Sequence, residues 1–321
     1  MPTVDISEYH APYFFRNPHT QMVFPSIFRK VQDINYVRER IITPDKDFLD
    51  LDWSRVGSRK LAIVLHGLEG DSGRSYIMGM VRTLNRHGWD ALALNFRGCS
   101  GEPNKAIRMY HSGETGDIRL VIDHSMSLGL YDQLALVGFS LGGNVILKYL
   151  GESGKSIRPE IKAAVAISVP CDLKACSDRL SESSNWAYSQ RFLRMLRKKI
   201  YYKATVYPHA ANPEGLDSVR TLKEFDDKFT APLHGFRDAN DYYAKSSSKQ
   251  FLGNIAAPCL LINALDDPFL GATCFPEQEA RSNRHLFLER PRYGGHVGFV
   301  SFNEEKEYWS EKRAAQFISE T

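Results

Sequence analysis

Cysteine is scarce in this chain. Its 321 residues hold five (Cys99, Cys171, Cys176, Cys259 and Cys274), with no Cys-x-x-Cys pair among them. An odd and scattered set offers neither a disulfide framework nor a zinc site, and it fits a reducing compartment. An excess of charge of one sign is also missing. The 41 Lys and Arg residues against 38 Asp and Glu leave a formal charge of +3, too near neutral to indicate a nucleic-acid partner. No apolar run approaches the ~18 residues that a membrane span needs. The stretch from Met1 to Arg16 carries Asp5 and Glu8 and lacks a basic start followed by an apolar core, so no secretory signal is expected. These absences predict a cytoplasmic protein. Peripheral lipid contact stays open, and the oligomeric state is not determined.

What is present is an ordinary globular composition, 43% apolar and 25% charged, able to bury a substantial core. The length suits one large α/β domain with insertions or two ordinary domains. Strands are expected at Tyr36 to Ile42 and Phe48 to Trp53, the second with a half-buried alternation of Phe48, Asp50 and Asp52 against Leu49, Leu51 and Trp53. Leu61 to Leu65 reads as a central strand covered on both faces. A helix near Tyr76 to His87, a strand at Ala91 to Asn95 and a helix near Asp117 to Leu128 follow. Then come an apolar strand from Leu134, a helix over Val145 to Gly151 and a strand over Lys162 to Ser168. Strands alternating with helices predict a mostly parallel sheet with helices on both faces. The rhythm breaks over 170–253, where the text is helical and amphipathic, and resumes with Pro258 to Asn263, His285 to Leu288 and a closing helix over Lys306 to Ile318. The insertion is expected to cap the carboxyl edge of the sheet, where ligands bind in open α/β sheets. The expected organisation is therefore an aromatic arm over 1–35, a body made of 36–169 and 254–321, and a helical cap over 170–253. The arm, with Phe14, Phe15, Phe24 and Phe28, shows no clean period and is expected to wrap over the body; walling an acyl pocket is the alternative.

One stretch organises the rest: Gly138-Phe139-Ser140-Leu141-Gly142, which follows a strand and opens a helix. A serine hydroxyl is a poor nucleophile. A sharp strand-to-helix turn lifts it clear of the backbone and aims the next N–H at the oxygen of a bound ester. Such a serine needs a base and a group that orients the base, in the chain order Ser, acid, His. Ala264-Leu265-Asp266-Asp267-Pro268 directly follows a late strand. Asp267, beside Pro268, is the expected acid, and Asp266 its loop-capping neighbour. Gly294-Gly295-His296-Val297-Gly298 offers His296, bracketed by glycines, as the general base. Two backbone N–H donors should face the oxyanion: Leu141, next to the serine, and Leu68, in the loop His66-Gly67-Leu68-Glu69-Gly70. His66 is expected to stiffen that loop. The loop has neither a Gly-Lys-Ser/Thr ending nor a Gly-x-Gly-x-x-Gly, which argues against a nucleotide site. Cys99 is expected in a tight loop near the pocket and not as a second nucleophile. The basic stretch Arg191 to Ile200 is expected to be a packed cap helix with a solvated charged face and Phe192, Leu196 and Ile200 together. A platform for anionic lipid or a carboxylate-bearing substrate is the sharper alternative.

These motifs resemble the α/β-hydrolase superfamily and, within it, the YheT-like branch. The resemblance is carried by Asn17-Pro18-His19-Thr20-Gln21, by His66 to Gly70, by Asn95-Phe96-Arg97-Gly98-Cys99-Ser100-Gly101 and by Gly138 to Asn144. Phe225-Asp226-Asp227-Lys228-Phe229-Thr230, running on to Phe236 and Asp241-Tyr242-Tyr243, and Asp266 to Phe269 add to it. It spans nearly the whole chain and implies the nucleophile, acid and base roles for Ser140, Asp267 and His296. The implied activity is hydrolysis of short- to medium-chain or lipid-like acyl esters through an acyl-enzyme on Ser140, with neither metal nor organic cofactor. Acyl transfer to an alcohol is one alternative. A silent binding protein on the same fold is another.

Overall fold

The computed structural model describes residues 3–4, 7–209 and 211–321; Met1, Pro2, Asp5 and Ile6 of the expected arm and Ala210 of the expected cap lie outside the described residues. Among the described residues nine strands form one sheet: β1 (Thr3–Val4), β2 (Val37–Ile42), β3 (Phe48–Ser54), β4 (Lys60–Leu65), β5 (Asp90–Asn95), β6 (Gln133–Phe139), β7 (Ile161–Ile167), β8 (Cys259–Ile262) and β9 (Leu286–Glu289). Their order is β1-β9-β8-β7-β6-β4-β5-β3-β2. β2 and β3 run antiparallel to their neighbours, and the remaining pairings are parallel.

The apolar strands divide their side chains between two cores. Leu61, Ile63 and Leu65 of β4, with Leu134 and Leu136 of β6, face α3 (Gly116–Ser127) and α4 (Leu141–Ser153). Ala62, Val64, Ala135 and Val137 face α2 (Ser75–Arg86) and the closing helix α11 (Trp309–Glu320). A period of two on strands buried on both faces produces this division, and it covers the sheet with helix on each side.

Some of these expectations need correction. β3 is not half-buried: every residue is buried, Asp50 and Asp52 at 1% exposure each. Arg38 and Arg40 of β2 reach across the antiparallel pair and hold Asp52 and Asp50 through guanidinium–carboxylate pairs at 2.7 Å. The alternation of charge along β3 is thus met by partners, not by water. The arm, expected only as a stretch without a clean period, holds a helix. Asn17 accepts the His19 and Thr20 N–H groups, Pro18 takes the first helical position, and α1 runs over Pro18–Phe28. An Asn cap followed by Pro is a helix start that could have been read from the sequence. Finally, α4 begins at Leu141, four residues before the expected Val145, and α11 begins at Trp309, after the expected Lys306.

Between β7 and β8, among the described residues, lie helices and no strand. They are α5 (Leu173–Leu180), α6 (Trp186–Val206), α7 (Leu222–Phe225), a π-helical turn (Asp226–Thr230), α8 (Ala231–Leu233) and α9 (Ala239–Ser246). Leu193, Leu196 and Ile200 of α6 pack with Leu216, Phe225 and Phe229 in a separate small core. The buried residues of α6 are Ser189, Leu193, Leu196, Ile200 and Lys203, and half-buried Phe192 packs against the same small core, so Phe192, Leu196 and Ile200 share a face as expected. One further helix, α10 (Glu277–Ser282), precedes β9.

Candidate active site

The floor of the site is backbone. Ser140 sits between β6 and α4 with φ 52° and ψ −118°, a left-handed conformation that costs a side-chain-bearing residue about 1–3 kcal/mol. The turn is held from both sides. The Ser140 N–H donates to the Ile167 carbonyl of β7 at 2.8 Å, and the Ser140 carbonyl accepts the Asn144 N–H at 3.0 Å. A Cβ on Gly138 would lie 2.5 Å from the Gly142 carbonyl oxygen, and one on Gly142 would lie 2.6 Å from the carbonyl oxygen of His66. Neither neighbour is a movable side chain, so glycine is required at both positions.

Two distant loops deliver the remaining groups. Nδ1 of His296 lies 2.8 Å from Asp267 Oδ2, and its Nε2 lies 2.8 Å from Ser140 Oγ. With the carboxylate accepting from Nδ1–H, Nε2 is left bare to accept the serine proton. Asp267, fully buried in its side chain, also accepts the Phe269 N–H at 2.9 Å. Asp266 turns the other way and accepts the Gly295 N–H at 2.9 Å; burial raises its carboxyl to about 6. The histidine loop needs this tether because Gly295 and Val297 both have positive φ, 55° and 63°. Ser168, at the end of β7, adds a second tether by accepting the Val297 N–H at 2.9 Å. The ring of Phe269 packs on His296 with centroids 4.6 Å apart.

The loop after β4 stands against the serine. His66 is fully buried, and burial lowers its pKa to about 3, so the ring is neutral. Its Nδ1–H donates to the Gly67 carbonyl at 2.7 Å, while Nε2 accepts the Phe96 N–H at 3.2 Å. Leu68 and Leu141 line the same cavity as Ser140 and His296.

Comparison with known proteins shows the family. Residues 62–301 match the family described as alpha/beta hydrolase fold. The esterase-labelled protein YheT of Escherichia coli (strain K12) is 35% identical over 95% of this chain and 91% of its own length. The chain belongs to the α/β-hydrolase family, in its YheT-like branch. Phospholipase ABHD3 of Bos taurus is 30% identical over 83% of this chain and 67% of its own. Esterase Pf2001 of Pyrococcus furiosus shares the fold, with a TM-score of 0.59 at 19% identity, over 92% of this chain and 98% of that one.

Above the floor of this hydrolase lies a cavity of about 720 Å³. α1 contributes Met22, Val23 and Ile27 to one wall, so the arm walls the cavity as well as wrapping the body. α6 contributes Phe192, Met195 and Lys199. Lys199 is not part of a solvated basic face. Its Nζ donates to Glu69 Oε1 at 2.7 Å and lies 3.1 Å from Cys99 Sγ. Glu69, buried and at φ 53°, also accepts from the Tyr110 hydroxyl at 2.7 Å, while its own N–H donates to that hydroxyl at 2.8 Å. Burial pushes the Cys99 thiol up to about 11, which keeps it protonated and unreactive near neutral pH. Lys203 is also buried, donating to the carbonyls of Asn104 and Ala106. The Glu69–Lys199 pair, Ser168 and Asp226 are parts of the site to which the sequence reading gave no role.

Proposed function

We propose that this α/β hydrolase cleaves carboxylic esters through an acyl-enzyme on Ser140. One observation carries the reading: the unbroken chain of two 2.8 Å contacts from Ser140 through His296 to buried Asp267, at the floor of a large cavity. In the proposed cycle the Ser140 oxygen attacks the ester carbonyl and its proton passes to His296 Nε2. Asp267 holds the ring in the required tautomer and stabilises the imidazolium that forms. The N–H groups of Leu68 and Leu141 receive the developing oxyanion. Leu141 is the first residue of α4, whose leading N–H groups have no partner inside the helix and carry the positive end of its dipole. His296 returns its proton to the leaving alcohol, then activates water to release the acid.

Met22, Ile27, Phe192 and Met195 in the cavity wall favour an apolar acyl chain of short to medium length or a lipid-like ester. No helix among the described residues is long and apolar enough to cross a membrane. Five unbridged cysteines support a cytoplasmic location.

The test is hydrolysis of p-nitrophenyl esters from acetyl to dodecanoyl by wild type and Ser140→Ala side by side. A loss in kcat on the order of 10⁶-fold is expected where a working triad loses its nucleophile. Equal rates in the two proteins would sink the assignment.

A further inference from the structure

Asp226 and Asp227 are adjacent in sequence and have opposite fates. Asp227 is accounted for by the fold: it pairs with Lys223 at 2.7 Å and accepts the Ala239 N–H at the start of α9. Asp226 points the other way and lines the same cavity as Ser140 and His296. It opens the π-helical turn Asp226–Thr230, an irregularity that costs hydrogen-bond quality and recurs at functional sites.

The surroundings of Asp226 are polar but not cationic. The Tyr243 hydroxyl donates to its Oδ2 at 2.7 Å. Tyr243 has one proton, so Ser177, whose Oγ lies 3.0 Å from that hydroxyl, must be the donor in their contact. Thr230 supplies a further side-chain hydrogen bond. Among the described residues no Lys, Arg or His lies within ion-pair distance of Asp226, although 29 such pairs elsewhere in the protein show how readily this chain supplies a partner. Burial raises its carboxyl to about 6, which still leaves it ionised at neutral pH. A carboxylate has about four acceptor positions, more than Tyr243 and Thr230 occupy. An anion held without a cation in a cavity that Leu173 and Leu180 also line is costly unless a donor arrives to meet it. A purely hydrocarbon ligand leaves that cost standing, and an anionic group adds repulsion. A hydroxyl or an ammonium group relieves it, and the rings of Tyr242 and Tyr243 in the same wall tolerate either.

We propose that Asp226 is the specificity-determining residue of a polar subsite in the ester cavity, receiving a hydroxyl or ammonium group that the substrate carries away from its scissile bond. The proposal deepens the ester-hydrolase reading and rests on it. The wall made by α1 serves the apolar part of the substrate, and the wall made by the π-helical turn serves this donor.

The experiment measures kcat/KM for matched esters. On the acyl side these are p-nitrophenyl octanoate and its ω-hydroxy and ω-amino counterparts; on the alcohol side, hexyl octanoate and its ω-hydroxyhexyl and ω-aminohexyl counterparts. The readout is the ratio of donor-bearing to plain ester, which cancels any loss of folded protein in a variant. Asp226→Asn removes the charge, and Asp226→Leu removes the acceptor as well. The ω-amino ratio should fall about ten- to hundredfold in both variants, as expected for a hydrogen bond to a charged group. If the natural donor is a hydroxyl, the ω-hydroxy ratio should fall by a similar factor in Asp226→Leu and less in Asp226→Asn. Ratios within twofold of wild type in both variants, on both sides of the ester, overturn the subsite while Ser140-dependent turnover of plain esters still stands. If no ester is turned over, the ester reading fails by itself. Calorimetric titration of octylammonium and octanol into Ser140→Ala, with and without Asp226→Leu, then decides the subsite: equal affinities overturn it and a tenfold loss supports it.

Discussion

The floor and the roof of the cavity are built by different means. The floor is made of the loops after β4, β6, β8 and β9, where backbone meets backbone: Gly138 against Gly142, Gly142 against His66, and the Gly295 and Val297 amides tied to Asp266 and Ser168. Several of its residues hold positive φ, among them Glu69, Ser140, Gly295 and Val297. The roof, from α5 to α9 with α1 beside it, is made of side chains packed into small cores of their own, with one π-helical turn and no comparable strain at its cavity-facing residues. The contrast teaches where precision is kept. A nucleophile, base and acid must hold sub-ångström relations, which a sheet edge with locked torsions provides. A substrate wall needs shape and a few polar groups, and helices can supply those while remaining exchangeable.

The contrast can be broken most severely at the acid. Asp267→Asn should lower kcat by about 10⁴-fold, because an amide no longer enforces the His296 tautomer. Asp266→Asn replaces a carboxylate that accepts the Gly295 amide and does not reach His296, and it should cost far less. Steady-state kinetics on p-nitrophenyl butanoate compares the two, and equal losses would mean that both carboxylates serve the loop alone.

A smaller effect is expected where roof and floor meet. Lys199→Met removes the cation from buried Glu69, and breaking such a pair costs about 3 kcal/mol of stability. Because Glu69 follows Leu68, kcat should also fall, with KM less affected. Chemical denaturation and kinetics on the same protein test this. Unchanged kcat would show that Tyr110 alone maintains the loop after β4.

The mildest test is confined to the roof. The Asp226 carboxyl ionises at its ordinary 3.8 in the unfolded chain and near about 6 in the fold, so its protonated form favours folding. That stability is complete below about 4 and is lost as the pH rises through 6. The span corresponds to at most about 3 kcal/mol, less to the extent that water fills the cavity. Asp226→Asn should therefore gain thermal stability relative to wild type between pH 4 and pH 8, while activity on plain esters and stability follow separate curves. A difference in Tm that does not vary with pH would place the carboxylate in contact with a compensating charge.

The chain's own text pointed to Ser140, Asp267 and His296 at the floor, though not to the supporting roles of Ser168 and Glu69. Gly-x-Ser-x-Gly after an apolar strand, the Asp-Asp-Pro end of a late strand and Gly-Gly-His-x-Gly each encode a local backbone demand, and only a few residue types meet such a demand. Most of the sheet was legible for the same kind of reason: a parallel strand covered on both faces reads as a near-continuous apolar run, as in β4, β6 and β7. Which of Asp266 and Asp267 reaches the histidine rested on the neighbouring proline, and the structure shows the 2.8 Å contact at Asp267.

Tertiary structure alone decided the charges. Asp50 and Asp52 read as solvent-facing because nothing within β3 says that Arg40 and Arg38 will cover them. Lys199 lies 130 positions from Glu69, and Asp226 and Asp227 are chemically identical in the text. A buried charge depends on a partner, or on a cavity left without one, brought from elsewhere in the chain. Local pattern carries no record of that, because the desolvation that makes the charge matter exists only after the segments have packed.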